Sequence, residues 1–165
     1  MAHFVEWDSF DLRVDGDKLN IMVKSMIGKS EPIERIDVRF LNGVMRVEGA
    51  IRKFISVPFS ADVTEIRAKG TTVRVPLRNV SAAGLPVPTI LFGLIKNRLP
   101  RDFVTYEEPA TLVLSLDRFL PNFVSADIQN VWIIDGGLAV TLGRGGADLP
   151  LATGGPDDSS RGFRG

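Results

Sequence analysis

Residues 87–100, VPTILFGLIKNRLP, decide how the rest of the chain is read, because they form its most hydrophobic helical candidate. Pro88 suits a first helical turn, where a missing N–H leaves no bond unmade, and Pro100 stops a helix from passing Leu99. Ile90, Leu91, Leu94 and Ile95 make an apolar stripe, but Phe92 falls on another side. Lys96, Asn97 and Arg98 gather at the C-terminal end, where positive charge complements the helix dipole. A helix apolar on more than one face has to be enclosed. It either fills an ordinary α+β core or meets an apolar ligand or a membrane.

The blocks on both sides read as β-hairpins. Upstream, residues 32–51 alternate through Ile36, Val38 and Phe40, turn at Asn42-Gly43, and return through Met45, Val47 and Ile51. Asn-Gly is the pair best suited to a type I′ turn, since both central residues need positive φ. A third strand is predicted over 56–68 and a fourth over 71–80, where Val73, Val75 and Leu77 alternate with polar residues. Pro58 and Pro76 each remove a ladder donor and mark edges, bulges or strand ends. Before these, residues 17–28, DKLNIMVKSMIG, place Leu19, Met22, Val23, Met26 and Ile27 at amphipathic helical spacing, with Asp17 to cap and Gly28 to stop. Strand is the competing assignment there, because Leu19, Ile21 and Val23 also alternate. A short extended piece over 9–14 precedes that helix.

Downstream, residues 101–109 read as a connection and 111–116 as a strand, followed by one short helical turn in DRFLPNF. An extended run over 124–134 changes phase at Trp132, as a bulge would make it do. Asp135-Gly136-Gly137 reverses the chain into a last strand carrying Leu138, Val140 and Leu142. Residues 144–165 are rich in Gly and small polar residues and read as a disordered tail behind one domain over 1–143.

Composition narrows the function classes. A chain of 165 residues, 44% hydrophobic and 24% charged, suits one folded domain. Its 20 basic and 20 acidic side chains balance, so nothing general argues for nucleic acid. No apolar run is long enough to cross a bilayer, and MAHFVEWDSF has no signal-peptide h-region, which favours a cytoplasmic or peripheral-membrane location. Without Cys there are no thiolate nucleophiles or Cys-rich metal sites.

The remaining candidates for chemistry are sparse. His3 is the only histidine and stands near the start of the chain, so no His-centred triad or multi-His metal site is expected. Asp8 with Asp11, Glu31 with Glu34, and Glu107-Glu108 read as solvated charge. GRGG at 143–146 follows a strand but lacks the Lys-Ser/Thr ending and helix of a phosphate loop. Phe103, Tyr106 and Trp132 are not interleaved with a basic run, so packing is preferred over base stacking. Lys96 and Arg98, with Arg101 nearby, form one small basic cluster beside the apolar helix. It serves as a helix cap, or as a contact for an anionic lipid headgroup. No enzyme reaction, cofactor or metal is expected.

The helix DKLNIMVKSMIG, the hairpin IERIDVRFLNGVMRVEGAI, the helix VPTILFGLIKNRLP and the ending LVLSLDRFLPNFVSADIQNVWIIDGGLAVTLG together resemble one unit of the tubular lipid-binding superfamily. That superfamily includes the bactericidal/permeability-increasing proteins and small bacterial domains of unknown function; the likeness covers residues 17–143. It implies an α+β fold, a long curved antiparallel sheet wrapped over one or two amphipathic helices. It also implies non-enzymatic binding of a lipid or other apolar ligand between them. The ligand-lining set would be Leu19, Met22, Val23 and Met26 from the first helix, Ile90, Leu91, Leu94 and Ile95 from the second, and Phe40, Met45, Val47, Val73 and Val75 from the sheet. Lys96, Arg98 and Arg101 would meet the headgroup at a membrane. The same surfaces serve equally as the core or interface of a structural or adaptor protein, including a homodimer.

Overall fold

Asn42 and Gly43 both take positive φ, 51° and 75°, and join β3 (Ile33–Leu41) to β4 (Val44–Arg52) as the expected two-residue hairpin. The computed structural model describes residues 3–27, 33–52, 54–88 and 103–149. Among them stand β1 (Val5–Trp7), β2 (Phe10–Asp15), α1 (Gly16–Ile27), and, after β4, β5 (Ser56–Val63), β6 (Arg67–Lys69) and β7 (Thr72–Pro76). Then follow β8 (Arg78–Ala82), β9 (Leu85–Pro86), β10 (Val104–Glu107), β11 (Thr111–Ser115), a 3-10 turn (Asp117–Phe119), β12 (Val124–Ile134) and β13 (Gly137–Ala147). The predicted helix over 88–99 lies largely outside the described residues.

All pairing is antiparallel. One sheet has the order β3-β4-β5-β8-β9 and a second the order β10-β11-β7-β6. In the third, β12 pairs with one edge of β13, and β2 and β1 pair in succession with the other. The second and third sheets touch through a bridge between Ile66 and Val131 and through the Ile128 N–H, which donates to the Gly70 carbonyl at 2.7 Å.

This arrangement overturns the expected α+β fold. The described chain is mostly strand, with one α-helix and three open antiparallel sheets, not a long sheet wrapped over helices. The physical reason lies in the two stretches expected as single strands over 56–68 and 71–80. Residues 56–69 divide into β5, which pairs with β4, and β6, which pairs with β7 in a different sheet. Residues 72–82 divide at Leu77, whose N–H donates to the Ala110 carbonyl at 2.8 Å, and Asn79 then takes φ 50°. Beyond that bend β8 leaves β11 and joins β5. A strand that changes sheets builds a corner instead of extending one curved surface.

Smaller differences have local causes. Asp15, not Asp17, caps α1: its Oδ1 accepts from the N–H groups of Asp17 at 3.0 Å and Lys18 at 3.2 Å. Part of the expected connection over 101–109 is strand β10. The bulges of β12 lie on either side of Ile128, ahead of Trp132. β13 runs through Ala147, past the boundary placed at 143, because β12 pairs with that end on one edge and β1 on the other, and nearby side chains cover its glycines. A Cβ on Gly145 would meet the Trp7 ring, one on Gly146 the His3 ring, and one on Gly143 the Gln129 side chain. GRGG is therefore a paired strand whose glycines leave room for the Gln129 side chain and the Trp7 and His3 rings. Residues 150–165 of the expected tail lie outside the described residues.

Candidate functional site

Strand register sorts the five-stranded sheet into two faces. Residues opposite one another share a face, so the inner face carries the rows Phe40–Met45–Val63, Val38–Val47–Ala61, Ile36–Gly49–Phe59 and Ile33–Ile51–Val57. The first two rows are packed. Val38, Met45 and Val63 meet Val73 and Val75 of β7, and Leu19, Val23, Phe40, Val47, Leu112 and Leu114 close around them. Val63 has 0% exposure.

Of the residues expected to line a ligand cavity, Leu19, Val23, Phe40, Met45, Val47, Val73 and Val75 thus belong to one packed cluster. Met22 stands half exposed, 50%, on α1. Ile90, Leu91, Leu94, Ile95, Lys96, Arg98, Arg101 and the side chain of Met26 lie outside the described residues. α1 is held against β3 by polar ties as well as apolar ones. The Asn20 Oδ1 accepts the Val38 N–H at 2.9 Å, and Lys24 Nζ lies 2.8 Å from Asp37.

In the third row Ile36 and Gly49 are buried as well, whereas Phe59 and the outermost row stand outside the packed cluster. Ile33, Ile51, Val57 and Phe59 are only half buried, although all are apolar. The Phe59 ring lies across Gly49, where a Cβ would come within 2.6 Å of it. Beyond them the β4–β5 hairpin closes at the Arg52–Ser56 pair, and its tip presents Phe54 at 96% and Ile55 at 72% exposure. The β8–β9 turn lies at the same end, since the Ala83 N–H donates to the Pro58 carbonyl at 2.8 Å. Leu85, 70% exposed, pairs with Ala82, which pairs with Phe59. A shallow recess of about 210 Å³ lies there too, lined by Lys24, Ile33, Glu34, Arg35 and Ile36.

The outer face of this sheet is polar. Asp62, the one buried charged residue among those described, accepts from Arg46 Nε at 2.8 Å, Arg46 Nη2 at 3.3 Å and Asn79 Nδ2 at 3.1 Å. The Arg46 hydrogen bond, helped by Asn79, holds the Asp62 carboxyl below the ordinary carboxylate range against the opposing effect of burial. Asp37 is lowered in the same sense, first by its hydrogen bond to Lys24. Ser60 and Ser81 share a 2.7 Å hydrogen bond nearby. Every group here is answered by another, which is the arrangement of a structural network. The pairing of Asp62 with Arg46 was not readable in the sequence, because only the β4–β5 register brings them opposite one another.

One further constellation was also unforeseen. His3 Nδ1 lies 3.1 Å from Asp148 Oδ1, and His3 Nε2 lies 3.3 Å from Ser125 Oγ. The order matches a proton relay, yet Ser125 lies in a paired strand opposite Gly146, not on a turn that would lift its hydroxyl into a pocket. The His3 ring lies against Gly146, and the three groups tie residue 3 to the ends of β12 and β13. Among the described residues no group of three or more His, Asp or Glu is placed to hold a metal ion, and no helix is long and apolar enough to cross a membrane. No family model, curated protein or solved structure matches this chain.

Proposed function

We propose that the protein binds a lipid or another apolar small molecule without performing chemistry on it. The observation that carries this reading is the continuation of the inner face past its packed rows. Ile33, Ile51, Val57 and Phe59 form an apolar floor that stays partly exposed and lies outside the packed cluster of the described residues. An apolar face of this kind gains by being covered, at about 25 cal/mol for each Å² removed from water. Flexible acyl chain or a comparable hydrocarbon suits such a floor, because affinity then follows from area and needs few directed polar groups.

Native mass spectrometry after gentle purification, followed by organic extraction, tests the reading. Retained apolar molecules, or stoichiometric loading with a fluorescent fatty acid, are the expected result. Val57→Asp should abolish loading in a protein that still folds. A wild-type chain that retains nothing and cannot be loaded sinks the proposal. A second reading, self-association, rests on the edge of the third sheet, where Phe4, Phe10 and Leu12 are exposed. Light scattering across a concentration series checks it, and a monomer at every concentration rules it out.

A further inference from the structure

We infer that the β4–β5 hairpin tip and its surroundings dock the protein onto an anionic lipid bilayer; this rests on the apolar-ligand reading and names the surface from which that ligand is drawn. Three observations converge on one end of the five-stranded sheet. Phe54 and Ile55 are the most exposed of the large apolar side chains there, at 96% and 72%. Arg52 immediately precedes the tip, and among the described residues no carboxylate pairs with it. In a chain with 20 acidic residues, the whole stretch 49–61 carries Arg52 and Lys53 and no acid.

The shape fits a bilayer. A hairpin tip is convex, so its side chains cannot be covered by the sheet that carries them. The bilayer interface yields around a protruding aromatic ring, and the ring sits at headgroup depth while neighbouring cations meet the lipid phosphates. Leu85 at the adjacent β8–β9 turn widens the apolar contact, with the Ala83–Pro58 hydrogen bond fixing that turn beside the hairpin. Charge supplies the preference for anionic lipid: Arg52 and Lys53, consecutive in the sequence, add positive charge, which a negative leaflet attracts over about a Debye length. The partly exposed floor of Ile33, Ile51 and Val57 begins next to the Arg52–Ser56 row, so a chain leaving the bilayer would meet it directly.

The test uses the full chain and vesicle sedimentation, comparing pure phosphatidylcholine with phosphatidylcholine containing one-third phosphatidylglycerol. Binding should be at least about tenfold tighter to the anionic vesicles and should weaken as salt rises. Phe54→Ser with Ile55→Ser should lower partitioning by about tenfold or more, and Arg52→Gln by roughly two- to fivefold. Thermal melting of these variants should match wild type, since the altered side chains are solvated. Retention of preloaded fatty acid should also be unchanged, which separates a failure at the tip from a failure of ligand binding. Wild type that ignores both vesicle types overturns the inference, as does a doubly substituted tip that binds as well as wild type. Equal binding to neutral and anionic vesicles overturns it too. If the tip variants leave vesicle binding intact and instead dissociate a dimer, the tip is a protein interface and the inference is likewise overturned.

Discussion

The two ends of the five-stranded sheet have the same chemistry on their inner face and different surroundings. At one end Phe40, Met45 and Val63 meet β7, β11 and α1, and Val63 loses all contact with water. At the other, Ile33, Ile51 and Val57 are as apolar, stay partly exposed and join no packed cluster. Hydrophobicity along a strand therefore says that a face wants covering; which partner covers it depends on where other elements arrive. The corner at Leu77 decides that here, because it brings β7 to the packed end and sends β8 along the edge of the open one.

The sharpest way to break this comparison is to place one charge at each end. Val63→Asp puts a carboxylate where water cannot follow, and the protein should lose its cooperative melting transition by circular dichroism. Val57→Asp can turn its charge to solvent and should cost only about 1–2 kcal/mol. Equal collapse of both variants would show that the open end is as enclosed as the packed one. A gentler pair follows the same logic. Met45→Ala should lower unfolding free energy by about 2–4 kcal/mol in urea titrations, whereas Ile51→Ala should lose about 1 kcal/mol, since less of its surface was removed from water.

The outer face gives a pH-dependent test of how β5 is held to β4 and β8. Asp62 is depressed below its ordinary value by Arg46, with Asn79 adding to the effect. A depressed carboxyl contributes stability that is complete above the unfolded-state value and is lost as pH falls through the folded one. The wild-type urea midpoint should therefore decline on acidification below the ordinary aspartate range. Asp62→Asn should remove part of that decline while costing about 1 kcal/mol near neutrality, a modest loss because Arg46 remains half solvated. An acid limb identical in Asp62→Asn and wild type would show that other carboxylates govern it.

What could be read from the sequence follows the range of each interaction. Asn42-Gly43, Asp135-Gly136-Gly137 and the helical spacing of Leu19, Met22 and Val23 are local, and the structure has turns and a helix there. The sheet exchange within 56–69 and 72–82 is set by distant partners, so alternation ran through it without a break. β10 reads as a connection in the sequence because its short run through Val104 and Tyr106 gains its meaning only from pairing with β11. Glycine content misled at 144–147, where the Trp7 and His3 rings supply the cover that side chains on that strand lack. The cavity lining implied by the resemblance falls, for Leu19, Val23, Phe40, Met45, Val47, Val73 and Val75, on the packed cluster, because an apolar pattern does not distinguish a filled core from a lined cavity. Phe54 and Ile55 carry no signal of their own in the sequence, since only the closure of β4 on β5 leaves this apolar pair at an exposed tip.

The smallest expected effect is the most diagnostic of the open end. Phe54 is 96% exposed, so Phe54→Ser removes almost no buried surface and should change unfolding free energy by less than about 0.5 kcal/mol. That holds at any protein concentration if the tip is solvated in the free protein. If a second copy covered the tip, wild type would melt higher as concentration rose, because self-association stabilises the folded state by mass action. Phe54→Ser would then flatten that dependence while leaving the dilute protein untouched. Melting curves of both proteins over a hundredfold range of concentration distinguish the cases. Parallel flat lines leave Phe54 and Ile55 available to a bilayer. A slope in wild type alone assigns the end of the sheet to a protein partner, and with it the covering of Ile33, Ile51 and Val57.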